Sequence, residues 1–313
     1  MNYVIKKYRY AIVFLLAAAA VMVRLEAKKL PNDTMRVGFF DVGQGDSTFI
    51  ETPSGAQILI DGGPKQMVAQ ELSRFLPFWD RTIDLIIITH PQLDHMEGII
   101  PVLERYRVGR VIMAYAPYRL DAYDALLAIV ERKKIPTTLA RPGVLLRLGD
   151  GVIAQILHPG DEAVRRATAK TINETSIVLR LDYGESSFLF VGDAGFATEE
   201  ALLRARVPLD VDVLKVGHHG SKYASGTRFL NVVSPRIAVV EVGRNNRYGH
   251  PTPETLNRLA AAGARIFRTD QDGTVTLVTD GSMLWHQKQI CRFLVFCAVH
   301  RKMFFDQKDF HAE

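Results

Sequence analysis

The body of this chain contains no cysteine. Among 313 residues there are two, Cys291 and Cys297, both near the C-terminus. Residues 35–282 are thereby denied both a disulfide framework and a thiolate metal site. The two cysteines lie six residues apart in an apolar stretch, on opposite sides of a helix, so no bond between them is expected. Excess charge is also scarce. The net charge is +5, but Lys6, Lys7, Arg9, Arg24, Lys28 and Lys29 against Glu26 and Asp33 put +4 of it in residues 1–34. The remainder is nearly balanced, so a nucleic-acid surface would have to be a local patch and not a global field. Gly43-Gln44-Gly45 lacks the third glycine and the following helix of a dinucleotide fingerprint, which excludes a Rossmann unit and a nucleotide cofactor. No internal repeat or low-complexity linker is present.

Long hydrophobic runs are missing too, with one exception. Residues 11–23 are uninterruptedly apolar behind the positive Lys6, Lys7 and Arg9. That run falls short of the roughly 20 residues of a spanning helix and suits a signal-peptide core. The only cleavage candidate, Leu25-Glu26-Ala27, is poor, which keeps an uncleaved membrane anchor in view. Residues 1–34 are therefore a signal peptide or membrane anchor, and the chain is expected to be exported or held at a membrane. Residues 283–313 form a tail with no assigned role.

What the body does have is histidine and aspartate at the ends of apolar strands. Extended segments are expected at 36–40, 48–51 and 57–60, separated by tight turns, which argues for an antiparallel start. Helical spacing at 67–76, 99–106, 122–134, 199–205 and 253–262 alternates with strands at 83–88, 110–114, 138–139, 152–157, 176–182, 187–191, 211–216 and 237–242. Residues 266–268 and 274–279 are expected to close a sheet around Asp270-Gln271-Asp272-Gly273. Together these give one α/β layered domain over 35–282.

Against that pattern, Asp61 ends one strand and His90, Asp94 and His95 follow the next. Asp193 stands in Gly192-Asp193-Ala194, His218 and His219 in Gly217-His218-His219-Gly220, and His250 in Gly249-His250-Pro251, each after a strand. Five of the six body histidines occupy such loops. Polar loops at strand ends are how α/β sheets build active sites. Imidazoles and carboxylates without thiolates suit zinc or manganese in a hydrolytic site. Each motif taken alone is more often a simple turn; it is the shared chemistry that points to a site.

Taken in order, Asp41–Ser47, Leu59-Ile60-Asp61-Gly62-Gly63, His90–His95, Asn173-Glu174-Thr175-Ser176, Phe190-Val191-Gly192-Asp193-Ala194, Lys215–Ser221 and Tyr248-Gly249-His250-Pro251 resemble metallo-β-lactamase-fold hydrolases. The resemblance is closest to the hydrolase domain of ComEC-type competence proteins and covers essentially all of 35–282. It implies a four-layer αββα sandwich with a metal site at one edge of the paired sheets. It further implies phosphodiester hydrolysis, with single-stranded DNA as substrate. No counterpart of the multi-helix membrane channel of a full competence protein is present, so no transport role is inferred.

By the resemblance, His90 is a first-site ligand, Asp94, His95 and His250 belong to a second site, and Asp193 bridges the two. Asp61 orients the ligand loop. His218 and His219 match a pair of which one member lies by the metals and protonates a leaving group, and Asp94 activates the attacking water. The amides of Gly220 and Ser221, with Lys222, are candidates to hold a phosphate oxygen. Gln92 and Asn173 stand where the family has first-site ligands, and neutral amides are poor substitutes for imidazole. His158 is the one neighbour that could compensate. One firm zinc site and a weaker second site are therefore expected, with manganese as the other candidate metal. Two further readings stay open: a hydrolase of another ester, amide or lactam bond on the same fold, and a metal-depleted binding protein. The sequence does not specify an oligomeric state.

Overall fold

The computed structural model describes residues 2–27, 33–114, 120–287 and 303–304. Cys291, Cys297 and the apolar stretch 290–299 lie outside the described residues. The leader is a helix, Asn2–Ala27. Its segment Tyr8–Ala27 (20 residues, mean hydropathy 1.9) is exposed and is the one helix among the described residues long and apolar enough to cross a membrane. The uninterrupted apolar run remains residues 11–23, and the longer helical segment includes Arg9, Arg24 and Glu26 at its flanks. A signal sequence has the same length and composition.

Among the described residues, sixteen strands form two sheets. The first half of the chain supplies β1 (Met35–Phe39), β2 (Thr48–Glu51), β3 (Gln57–Ile60), β4 (Thr82–Ile88), β5 (Arg107–Met113), β6 (Thr137–Leu139), β7 (Leu145–Arg147) and β8 (Ile153–His158). The second half supplies β9 (Val178–Tyr183), β10 (Ser186–Phe190), β11 (Val213–Lys215), β12 (Ile237–Val240), β13 (Arg265–Arg268), β14 (Val275–Thr279), β15 (Leu284–Gln287) and β16 (Met303–Phe304). One sheet runs β16-β15-β14-β1-β2-β3-β4-β5-β6 and the other β13-β12-β11-β10-β9-β8-β7. The expected antiparallel start is present as β1-β2-β3, after which β3 to β6 run parallel.

Strand alternation sorts the core into three layers. In β4, Leu85 and Ile87 face the second sheet, whereas Ile86 and Ile88 face the helices Met67–Phe75, Ile99–Arg105 and Asp121–Arg132. In β10, Phe188 and Phe190 enter the inter-sheet layer, while Leu189 packs toward the helices Phe196–Ala205, Thr227–Val233 and Pro253–Ala261. Strands buried on both faces read as continuous apolar runs, and their period of two assigns each side chain to a layer. The result is the expected αββα sandwich.

Two expectations fail. Residues 266–268 and 274–279 do not close one sheet: β13 pairs with β12 in the second sheet and β14 with β1 in the first, with the short helix Thr269–Asp272 between them. Both segments are short and apolar, and nothing local distinguishes a hairpin from a crossing between sheets. The body also does not stop at 282, because β15 pairs with β14 in the register Thr279↔Leu284.

Parallel strands direct their carboxyl ends to one edge, and the loops there are clamped together. Gly62 donates its amide to His95 O (2.6 Å) and Gly98 donates to Gly63 O (2.9 Å), which brings the β3 and β4 loops into contact. A Cβ on Gly98 would lie 2.0 Å from Gly62 O, although the backbone of Gly98 is ordinary αR. Gly98→Ala should therefore cost about 2 kcal/mol or more of stability through overpacking alone. An unchanged urea midpoint would show that the two loops can part freely.

Candidate metal centre

Asp61 is the anchor of the site. It leaves β3 with φ +56°, and its buried carboxylate accepts the Thr89 amide (2.8 Å) and the Thr89 hydroxyl (2.6 Å). The same carboxylate takes His95 Nδ1 at 2.8 Å. A carboxylate behind one ring nitrogen fixes the tautomer and leaves the other nitrogen free to bind. His95 Nε2 then points at Asp193 Oδ1, 3.3 Å away, yet neither atom makes a hydrogen bond.

His219 arrives the same way from the second sheet. Its Nδ1 donates to Glu241 O (2.9 Å), and its buried Nε2 has no partner, lying 3.4 Å from Asp94 Oδ2 and 3.7 Å from Asp193 Oδ1. His218 and His219 both adopt left-handed backbone, φ 47° and 53°. That costs on the order of 1–2 kcal/mol per residue for an L side chain, and the turn turns the two rings to different sides. His219 goes inward, while His218 stays partly exposed, 3.7 Å from Asp193 Oδ2 and 3.4 Å from Asn173 Nδ2.

The donor atoms of Asp94, His95 and His219 lie within 4.8 Å of one another, as do those of His90, His95 and Asp193, and of Asp46, Asp193 and His219. The field across them attracts a cation. Burial opposes charge on His219, but Asp193 and Asp46 outweigh it and push the imidazole up to about 10. Burial likewise opposes ionisation of Asp193, and the positive fields of His219 and His95 hold it well below the usual carboxylate range. A divalent ion would replace those protons. Buried, unpartnered nitrogen and oxygen atoms aimed at one point, two imidazoles with two carboxylates and no thiolate, fit zinc or manganese. The centre forms the floor of a cleft of about 1170 Å³, with Lys170, Tyr223, Arg247 and Tyr248 among its lining residues.

A profile of the Metallo-beta-lactamase superfamily matches residues 40–243. The chain belongs to that superfamily. It is similar to ComE operon protein 3 of Bacillus subtilis, 29% identical over 76% of this chain and 32% of that protein. It is also similar to competence protein ComA of Neisseria gonorrhoeae, 31% identical over 83% of this chain and 34% of that one. These are ComEC-type competence proteins. The chain spans about a third of the length of the curated relatives it matches. Among solved structures, the metallo-beta-lactamase fold protein YhfI of Bacillus subtilis shares the fold at TM-score 0.53 and 11% identity, over 79% of this chain and all of that one. A metallo-β-lactamase-fold hydrolase domain with a His/Asp cluster is thus what the chain contains.

The arrangement revises several sequence expectations. His250 lines the same cleft, half-buried and with its buried Nδ1 unpartnered, its ring 5.6 Å from that of His218 and stacked on Tyr248 at 5.9 Å, but it is not among the residues of the buried donor groups. His219 holds the place expected for it, because the left-handed turn carries His219, and not His218, inward. His158 does not compensate at the first site, since its Nε2 is bonded to Glu174 O (2.9 Å). Gly220, Ser221 and Lys222 are not among the cleft-lining residues. Pro251 packs against Gly220, Ser221 spends its amide on His218 O (2.9 Å), and Lys222 lies over the Tyr223 ring. Asp46, Lys215 and Glu241 were given no role by the sequence, and all three are buried beside the centre.

The loop after His219 is held by Glu199, which accepts the amides of Ser225 (2.5 Å) and Gly226 (2.9 Å). Burial pushes its carboxyl from 4.5 up to about 7 despite those bonds. The folded state therefore binds more protons than the unfolded one between these values. Glu199's contribution is complete below the lower value and is lost as pH rises through the upper. Wild type should lose melting temperature relative to Glu199→Gln between about pH 5 and about pH 7.5. A pH-independent difference would contradict this assignment.

Proposed function

We propose that the chain is a metal-dependent phosphodiesterase that acts on single-stranded DNA outside the cytoplasm, delivered or anchored there by the helix Tyr8–Ala27. The observation that carries the reading is the convergence of His95 Nε2, His219 Nε2 and Asp193 Oδ1, all buried and unpartnered, under an open cleft. Lys170 and Arg247 supply positive charge on the cleft, and Tyr223 and Tyr248 are exposed aromatic surfaces on which unpaired bases can stack. The competence relatives favour a nucleic-acid substrate over a lactam or thioester.

His95, His219, Asp94 and Asp193 would hold one cation, which supplies Lewis acidity and a water of lowered pKa when bound. Asp94, partly exposed on the cleft and held down to about 2 by its contact with His219 against the effect of burial, remains an acceptor throughout the working pH range. It orients the attacking water and takes its proton. His218, on the exposed side of Asp193, is placed to give a proton to the leaving oxygen. Asn173 Nδ2 donates to Asp193 Oδ2 (3.4 Å) and lies 3.4 Å from His218 Nε2.

The first site is weakened by hydrogen bonding already in place. Ser176 Oγ, which accepts the Asp193 amide (3.1 Å), lies 3.3 Å from His90 Nδ1, and His90 Nε2 meets Gln92 Oε1 at 3.2 Å. Burial pushes His90 down to about 3, so the ring is neutral, with Gln92 Oε1 beside Nε2 and the Thr89 and Ser176 hydroxyls beside Nδ1. Metal analysis should find one tightly bound transition ion per chain. Finding none after incubation with zinc or manganese would sink the metal reading, and two ions of equal affinity would sink the single-cation form of it.

Asp94→Asn should lower turnover of single-stranded DNA by about 1000-fold without lowering the melting temperature of the metal-free protein. His218→Gln should lower cleavage of DNA by about 100-fold or more, yet spare bis(p-nitrophenyl) phosphate, whose leaving group departs without a proton. Equal losses on both substrates would remove His218 from the role of acid. Wild type inactive on every phosphodiester would overturn the function.

A further inference from the structure

Behind the centre lies a buried ion pair that the reaction scheme does not use. Lys215, the last residue of β11, is 2% exposed, and its ammonium is bonded to Asp46 Oδ2 and to Gly192 O (3.0 Å). The three partners belong to three different loops. Asp46 follows β1, Gly192 immediately precedes Asp193, and Lys215 leads into the His218–His219 turn. The turn is tied to the same point by the His218 amide, which also donates to Gly192 O (3.2 Å).

Asp46 is more than the partner of Lys215. Its Oδ1 lies 3.1 Å from His219 Nδ1, and its Oδ2 lies 3.7 Å from His95 Nδ1. One carboxylate therefore stands behind both imidazoles whose Nε2 atoms face the cleft. Its Oδ1 is buried with no hydrogen-bond partner. Asp61 also stands behind His95, so His219 depends on Asp46 alone for a carboxylate at its rear. Glu241 lies alongside, but its carboxylate is committed to Ser47 N (3.1 Å) and Thr48 Oγ1 (3.2 Å). Without a fixed positive charge, a buried Asp46 would face Asp61 and Asp193 uncompensated, and burying a lone carboxylate is costly.

We propose that Asp46 and Lys215 are a positioning pair for the metal centre: the Lys215 ammonium locks Asp46 behind the Nδ1 edges of His219 and His95 and ties it to the turn that carries Asp193. The pair touches neither substrate nor cation. It fixes the direction of two ligands from behind and raises their basicity through the carboxylate, while the lysine keeps the net charge of the interior from running negative. This rests on the metal reading given above and adds to it which groups set the affinity for the ion.

The experiment compares wild type, Asp46→Asn and the double variant Asp46→Asn/Lys215→Met by competition with a chromogenic chelator for zinc, alongside thermal melts in excess chelator. Asp46→Asn keeps the shape and an acceptor for the lysine but leaves its buried ammonium without a counter-charge, whereas the double variant removes both charges together and so separates loss of positioning from the cost of a lone buried ion. The double variant should melt metal-free within a few degrees of wild type, Asp46→Asn should melt lower, and both should bind zinc about 10–100-fold more weakly. A purely structural pair predicts the opposite: altered melting with zinc affinity unchanged. Zinc affinity within about threefold of wild type in either folded variant overturns the proposal. Wild type that binds no zinc or manganese fails the metal reading itself, an outcome distinct from variants that bind as tightly as a binding wild type.

Discussion

Everything at the edge of this sandwich is arranged around buried nitrogen and oxygen atoms that have no partner. An unsatisfied buried polar atom costs about 1–3 kcal/mol. His95 Nε2, His219 Nε2 and Asp193 Oδ1 are three such atoms within a few ångströms of each other. They could hydrogen-bond to one another if their loops were free to relax. They do not, because each is held from behind: His95 by Asp61, His219 by Glu241 O and the Asp46 carboxylate, and Asp193 by the Ser176 hydroxyl on its amide. The rigid backing keeps the cost in place, and it holds the three atoms as donors that could take a cation.

The fold is what makes that backing possible. His95 and Asp61 come from the first sheet, and Asp193 and His219 from the second, so the centre straddles the seam between them. The seam is closed by Asp46 reaching Lys215 and by Glu241 accepting from Ser47 and Thr48. Beneath it the inter-sheet layer is aromatic and aliphatic, with Phe39 and Phe190 6.1 Å apart directly below the loops. A close-packed apolar layer transmits little motion, so the two halves present their donors at fixed separation.

Most of the strands and the identity of the loops were legible in the sequence because both depend on local pattern. The run Leu85-Ile86-Ile87-Ile88 announces a strand, and a histidine or aspartate just beyond a strand announces the edge. Choices between neighbours were not legible. Whether His218 or His219 turns inward is decided by two left-handed residues in a row, which no apolar period encodes. His250 reads as a ligand because a histidine after a strand is what a ligand looks like; its packing against His218 and Tyr248 at the cleft wall is not written in any local pattern. Lys215 at the end of an apolar strand looks like the usual solvated lysine. Its burial becomes apparent only once Asp46, 169 residues away, is placed beside it. The separation of β13 from β14 into different sheets is equally non-local.

The two amides at the first site then take on a definite meaning. In a two-cation centre, His90 and the outer oxygen of Asp193 would both need a cation. Here Gln92 Oε1 lies 3.2 Å from His90 Nε2, and Asn173 Nδ2 lies 3.4 Å from Asp193 Oδ2. Neutral amides thus stand beside donors that also belong to the His90, His95 and Asp193 cluster, and in the proposed reading they make that site the weaker of the two. Asn173 Nδ2 also lies 3.4 Å from His218 Nε2, so one amide neighbours both the carboxylate and the proposed proton donor. In the proposed scheme these amides leave the backing residues unchanged, and charge stabilisation rests on the cation that His95, His219, Asp94 and Asp193 would hold together with His218.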